Sequence, residues 1–366
     1  MRKTGLFLLL VCLSLSGCKG GKTPSENLLL VADLTLSAGS GFEYYGNEVR
    51  NGLALWTDSL KTLGVDIVFE DNMGTAPQTV SVFNKYAGRK DVPVIITHNS
   101  PLSASVRSFA EKSQVNQMAL VAGDLDFCDG YEWVFRDAIM QDQEGQVLAE
   151  AIKTRSSIRS IAMCGVNDAY GLDGMEELKK SLAGSGVTVQ QTVKYDKGNY
   201  DFKFIINTLL SKAPDAIYFA GREQYIISFV NQLRERNRTI PVFTCDAFES
   251  PTILEGLGKN AEGIVFASYL NDLESPEARP FLTLYRDTYG KDPGIYAIDA
   301  YVCGQYLYHI IASGHRTAAE IADALASLSF DSPVKGSLKV RNHSIISHVA
   351  AFTINQDGRK VPLKNE

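Results

Sequence analysis

Polar side chains gather wherever the apolar runs of this chain end. Ser37, Ser40, Tyr44 and Tyr45 follow the run Leu28–Leu36, and Asn99, Ser100 and Ser103 follow Val94-Ile95-Ile96-Thr97. Gly123 and Asp124 come after Met118–Ala122, and Asn167, Asp168 and Tyr170 after Ser160–Val166. Arg222 and Glu223 come after Ala216–Ala220, and Asp246 after Ile240–Cys245. Hydroxyls and amides at a helix start can receive an anion, usually a carboxylate or phosphate. Carboxylates can receive an ammonium group. Each residue alone reads equally as a cap or a solvated loop residue. Their shared position carries the argument, because open α/β sheets bind ligands at the C-terminal ends of their strands.

Catalytic patterns are missing from the same inventory. No HExxH or His/Cys group has metal-ligand spacing, no GxSxG elbow precedes a helix, and the five histidines (His98, His309, His315, His343, His348) are scattered. Gly20-Gly21-Lys22-Thr23 has Ser16 where a phosphate loop needs its first glycine. Gly39-Ser40-Gly41 does not meet the dinucleotide fingerprint. Neither a metal nor a cofactor is called for.

The elements that must carry these residues alternate. Val92–Thr97 is a β-branched apolar run, the pattern of a strand covered on both faces. Pro101 then opens a helix through Val106, Phe109 and Ala110. Strands over 28–36, 65–70 and 118–122 and helices over 47–60 and 76–87 surround it. The pattern restarts with a helix at 143–154 and strands at 160–166, 187–195, 216–220 and 240–245. Such alternation predicts α/β architecture, with two doubly wound parallel-sheet lobes. The predicted first lobe is 28–138 plus 249–331, and the second is 139–248 plus 332–366. The chain then crosses between lobes near 137–142, 246–250 and 329–336, a three-crossover hinge flanking a cleft. The tail strands at 337–340 and 348–354 read as joined by one turn.

Arg2 and Lys3, the apolar run Leu6–Leu15 and Leu15-Ser16-Gly17-Cys18 read as a secretory signal over 1–17. The last four residues resemble the bacterial lipobox, which implies lipidation of Cys18 and a tether over 18–27. The 366 residues exceed one ordinary core and suit two lobes. A net charge of −6 without basic clusters argues against nucleic acid as a partner. Of the six cysteines, none is in CxxC spacing, and Cys164 and Cys245 sit in strand-like runs as small hydrophobes.

Val31-Ala32-Asp33 leads through Tyr45-Gly46 to Gly52, Asp71-Asn72 precedes Pro77-Gln78, and Asp201-Phe202 precedes a helix. In that order and local pattern, residues 28–360 resemble the type I periplasmic solute-binding proteins, in particular the branched-chain amino acid (Leu/Ile/Val) branch of ABC importers. Asn167-Asp168-Ala169-Tyr170-Gly171 is the most specific part of the resemblance, although only one residue separates Asp168 from Tyr170. The resemblance implies a free α-amino acid as ligand. Ser103 and the backbone near Ser100 would take its carboxylate, with Ala122 and Asp124 at the next strand end. Asp246 would take its ammonium, and Tyr45, Tyr170 and Arg222 would approach from the cleft walls. Arg222 stands where the family more usually has a neutral or aromatic residue, and it could receive a second acid group.

The function expected is therefore a lipid-anchored, extracytoplasmic solute-binding protein of the cell envelope. It would bind a small polar, amino acid-like ligand and pass it to an ABC permease, with no bond made or broken. The main rival is a regulatory or sensory lipoprotein of the same fold without a transport role, and a poorly lined or closed cleft would favour it. An enzyme is the weaker rival, because no nucleophile–base pair can be identified.

Overall fold

The computed structural model describes residues 27–39, 42–269 and 273–363; the expected signal, the tether up to residue 26 and Cys18 lie outside them. Strands β1 (Leu28–Leu34), β2 (Val65–Asp71), β3 (Val94–His98), β4 (Asn116–Leu120) and β5 (Val134–Asp137) run parallel in the order β2-β1-β3-β4-β5. Strands β6 (Ser160–Val166), β7 (Thr188–Tyr195), β8 (Ala216–Ala220), β9 (Val242–Thr244) and β10 (Val265–Tyr269) repeat that order as β7-β6-β8-β9-β10. Each sheet therefore reverses direction at one point, between β1 and β3 and between β6 and β8. At such switch points the connecting helices leave on opposite faces and open a crevice.

The strands are covered on both faces, as their unbroken apolar runs require. On one face of the first sheet Leu30, Ala32 and Ile96 pack with the helices Glu43–Ala54 and Ile295–Ala312. On the other, Val31 and Ile95 pack with Ala76–Tyr86 and Arg107–Ser113. In the second sheet Ala162 and Phe219 meet Lys203–Leu210 and Glu223–Arg236. Met163 and Tyr218 meet Gln141–Lys153 and Ala169–Ser181.

The lobe boundaries differ from those the sequence suggested. The helix Pro251–Leu257 and β10, expected in the first lobe, belong with the second sheet, as does the short 3-10 turn Asp246–Glu249 that leads into them. Phe266 of β10 supplies the reason, packing between Phe248 and Phe352 at ring distances of 5.0 and 6.4 Å. Conversely, β11 (Ser329–Ser332), β12 (Gly336–Arg341) and β13 (Ser344–Ile346) extend the first sheet from β5. There Leu338 and Ile345 enter the first core. The last strands extend the second sheet, β14 (Val349–Ile354) pairing antiparallel with β10 and β15 (Lys360–Pro362) antiparallel with β14. The tail is thus not one hairpin. The chain crosses between Asp137 and Gln141, between Tyr269 and Arg279, and between Ile346 and Val349.

The helix expected over 47–60 is two, Glu43–Ala54 and Thr57–Lys61, broken at Leu55 and Trp56. Trp56 leaves the axis to pack on Tyr301 and Tyr308 at 5.3 and 5.5 Å. Two glycines set the first helix close to its neighbours. A Cβ at Gly46 would lie 2.0 Å from the Thr35 carbonyl oxygen, and one at Gly52 would lie 2.2 Å from the Ala297 carbonyl oxygen. That approach brings Tyr45 to Tyr296, edge to face at 4.9 Å. Gly46→Ala should therefore lower folding stability by about 1–3 kcal/mol through overpacking against backbone. Thermal or denaturant unfolding checks this, and an unchanged midpoint would show that the helix can slide away.

Candidate functional site

Both switch points face the same cavity. From the first lobe, β3 ends in His98 and the next residue, Asn99, caps the helix Ser100–Ala104 by accepting the Leu102 N–H at 3.1 Å. Asn99 adopts φ 56°, ψ 151°, and Val121, just past β4, adopts φ 58°. Left-handed backbone is costly for a non-glycine residue, most of all a β-branched one, and such strain clusters at binding sites. Asn99, Ser100, Val121 and Gly123 all line the cavity, with Phe42, Tyr45, Tyr296 and Asp299 beside them.

From the second lobe, Asp168 follows β6 and caps the helix Ala169–Ser181 through the Gly171 N–H at 3.2 Å. Its carboxylate also lies 2.8 Å from Arg222, past the end of β8, and 3.2 Å from Lys197. The guanidinium sits over the Tyr170 ring at 4.5 Å. Burial opposes the charge on Arg222, but Asp168 outweighs it and holds the group's pKa above the usual range. Burial likewise raises Asp168, and Arg222 and its hydrogen bonds overcome that and hold it ionised.

Asp246 opens the turn after β9. The Tyr170 hydroxyl donates to its carboxylate at 3.0 Å, and the Asp246 backbone N–H donates to the Glu144 carboxylate at 2.5 Å. Burial raises the pKa of both acids, and the Asp246 charge raises Glu144 further. Two buried carboxyl groups beside each other resist ionising together. The same turn contributes Ala247, and Ala138 and Ile139 of the first crossing complete the lining.

The cavity is narrow. Its empty space, the open solvent at the mouth included, totals about 520 Å3, and little of it admits a water molecule. Among the described residues no cluster of His, Cys, Asp and Glu could hold a metal ion. The four described cysteines, Cys128, Cys164, Cys245 and Cys303, are free and buried.

Five of the eight residues singled out by sequence meet here: Tyr45, Ser100, Tyr170, Arg222 and Asp246. Three do not line the cavity. Ser103 is fully buried, its carbonyl accepting from the Gln117 amide at 2.7 Å. Ala122 packs inward with Phe127 and Cys128, because the left-handed turn at Val121 sends the flanking residues to the cavity instead. Asp124 sits behind Ser100, whose hydroxyl it meets, and burial raises its pKa. Arg136 holds this loop by donating to the carbonyls of Ala122 (3.2 Å), Asp124 and Leu125 (3.0 Å). Sequence reasoning missed Glu144, Tyr296 and Asp299. Glu144 resembles any solvated helix acid, whereas Asp299 offered a signal as the one acid in the otherwise apolar helix Ile295–Ala312.

Solved structures share this architecture. The chain aligns with LivJ of Streptococcus pneumoniae, a branched-chain amino acid transporter substrate-binding protein crystallised with isoleucine, at TM-score 0.82 and 20% identity, over 92% of this chain and 98% of that one. A solute-binding protein of an ABC transporter from Rhodopseudomonas palustris, crystallised with benzoate, aligns at TM-score 0.81 and 20% identity, over 92% and 95%. Among curated proteins, Leu/Ile/Val-binding protein homolog 3 of Brucella melitensis is 21% identical over 242 residues, 64% of this chain. The match spans 66% of that relative's length, and the match to a second curated relative spans 58% of its length. Residues 33–359 match the family model of the periplasmic binding proteins, and the chain belongs to that family.

Proposed function

We propose that this chain is an extracytoplasmic solute-binding protein of an ABC importer, held to the membrane by a lipid on Cys18, that closes on a small amino acid-like ligand. The observation that carries the reading is the pairing of opposite chemistries across one cavity. The Asn99 amide and the Ser100 backbone N–H at the start of its helix can donate to a carboxylate from the first lobe, and Asp246 on the second can accept from an ammonium. A zwitterion satisfies both only when the lobes are together, so binding favours closure. The amino acid and aromatic acid named with the solved relatives fit the same logic, since each carries a carboxylate.

The narrowness of the cavity favours a second reading, in which the same fold senses a ligand or contacts another envelope protein without transport. A thermal-shift screen separates them. The form used starts at residue 24 and keeps every described residue. The panel contains amino acids, amides, small peptides and short carboxylates. A ligand at about 100 times its dissociation constant should add about 2.7 kcal/mol. A hit among amino acids supports the importer reading, and silence across the panel supports the regulatory one.

A further inference from the structure

We infer that the ligand is an amino acid carrying a second acid group on a short side chain, with Arg222 as the residue that selects it. This rests on the amino acid reading of the cavity and names which amino acids it takes. Asp168 is shared by two cations, Arg222 at 2.8 Å and Lys197 at 3.2 Å, so it does not belong to Arg222 alone. The guanidinium spends one nitrogen, Nη1, on Asp168. Its other N–H groups have no protein acceptor among the described residues, and Arg222 lines the cavity. The planar fork suits a carboxylate.

Tyr170 fixes the spacing of the two charges. Its ring lies beneath the guanidinium at 4.5 Å and its hydroxyl donates to Asp246 at 3.0 Å. One tyrosine side chain thus holds a cation over its ring face and an acid at its hydroxyl. An α-ammonium on Asp246 then places a side-chain carboxylate toward Arg222, while the α-carboxylate meets Asn99 and Ser100. An apolar side chain closing on this wall would strip water from the free guanidinium N–H groups and give nothing in return. Sites with buried donors reject ligands lacking the acceptor far more strongly than apolar sites reject a size change.

The test is calorimetric titration of the form starting at residue 24 with L-aspartate, L-glutamate, L-glutamine and L-leucine. The expected result is that an acidic amino acid binds about 100-fold more tightly than leucine. In Arg222→Gln and Arg222→Ala that preference should collapse to within about tenfold, while Lys197 still neutralises Asp168 and circular dichroism stays unchanged. Leucine bound as tightly as the acids, or an acid preference surviving in both variants, would overturn the inference and leave the amino acid reading standing. Failure of all four ligands to bind would overturn both.

Discussion

Asp246→Asn should weaken binding of an ammonium-bearing ligand by two to three orders of magnitude, leaving the unfolding midpoint of the ligand-free protein nearly unchanged. The size follows from removing one member of a desolvated charge pair, which costs about 2–5 kcal/mol. The small effect on the free protein follows from the crowding of acids. Glu144 and Asp246 are both pushed up by burial, and the Asp246 charge raises Glu144 further, so an amide in place of one acid relieves repulsion. The sign of the pH dependence comes from the same pair. A bound ammonium favours the ionised pair and displaces its proton. Affinity should therefore rise as pH rises through the elevated titration of the pair, and fall as pH is lowered through it. In Asp246→Asn the dependence should flatten. Titration calorimetry in buffers of different ionisation enthalpy reads both the affinity and the proton release. Equal affinity in the variant would remove Asp246 from the site.

Lys335→Met should destabilise the protein by about 3–5 kcal/mol, the range for removing one partner of a buried ion pair. Lys335 is fully buried in the turn between β11 and β12. It contacts Asp137, the last residue of β5, and Asp299 at 2.8 Å, and lies over the Tyr269 ring at 4.2 Å. Asp137 and Tyr269 end the strands that lead into the first two interlobe crossings. One cation therefore ties the chain where it passes between lobes. Burial pushes the Asp299 carboxyl up to about 7 despite the lysine. Without the lysine both carboxyls would rise further, and their protonation would relieve part of the loss. The variant should be most destabilised near pH 8 and less so near pH 5. Asp299→Asn added to Lys335→Met should recover stability. A midpoint unchanged by Lys335→Met at pH 8 would contradict this account of the hinge.

Much of this was legible in the sequence, and the exceptions have physical causes. The strands β1 to β4 and β6 to β9 follow from apolar runs, with ends off by a few residues, whereas the helix expected over 47–60 breaks in two. Which sheet a late strand joins did not follow. Val265–Tyr269 is buried at every position, as a central strand of either lobe would be. Only the packing of Phe266 against Phe248 and Phe352 decides it. The switch-point residues Ser100, Tyr170, Arg222 and Asp246 were readable because strand ends are ligand positions in any doubly wound sheet. Ser103 was misleading because it sits on a one-turn helix that breaks after Ala104, with its side chain turned into the core. Ala122 and Asp124 missed by one residue. The left-handed turn at Val121 shifts the alternation, and a β-branched residue gives no warning of it. Glu144, in the first turn of its helix, and Asp299, within another, sit on helices, where an acid ordinarily faces water.

The central claim is that a small zwitterion lies between the lobes with its carboxylate at Ser100 and its ammonium at Asp246. A crystal structure of the form starting at residue 24, grown with the tightest-binding amino acid, tests it most directly. The account predicts ligand density in the cleft, hydrogen-bonded to Asn99 or Ser100 at one end and to Asp246 at the other. A ligand reversed in the cleft, or bound outside it, would contradict the account.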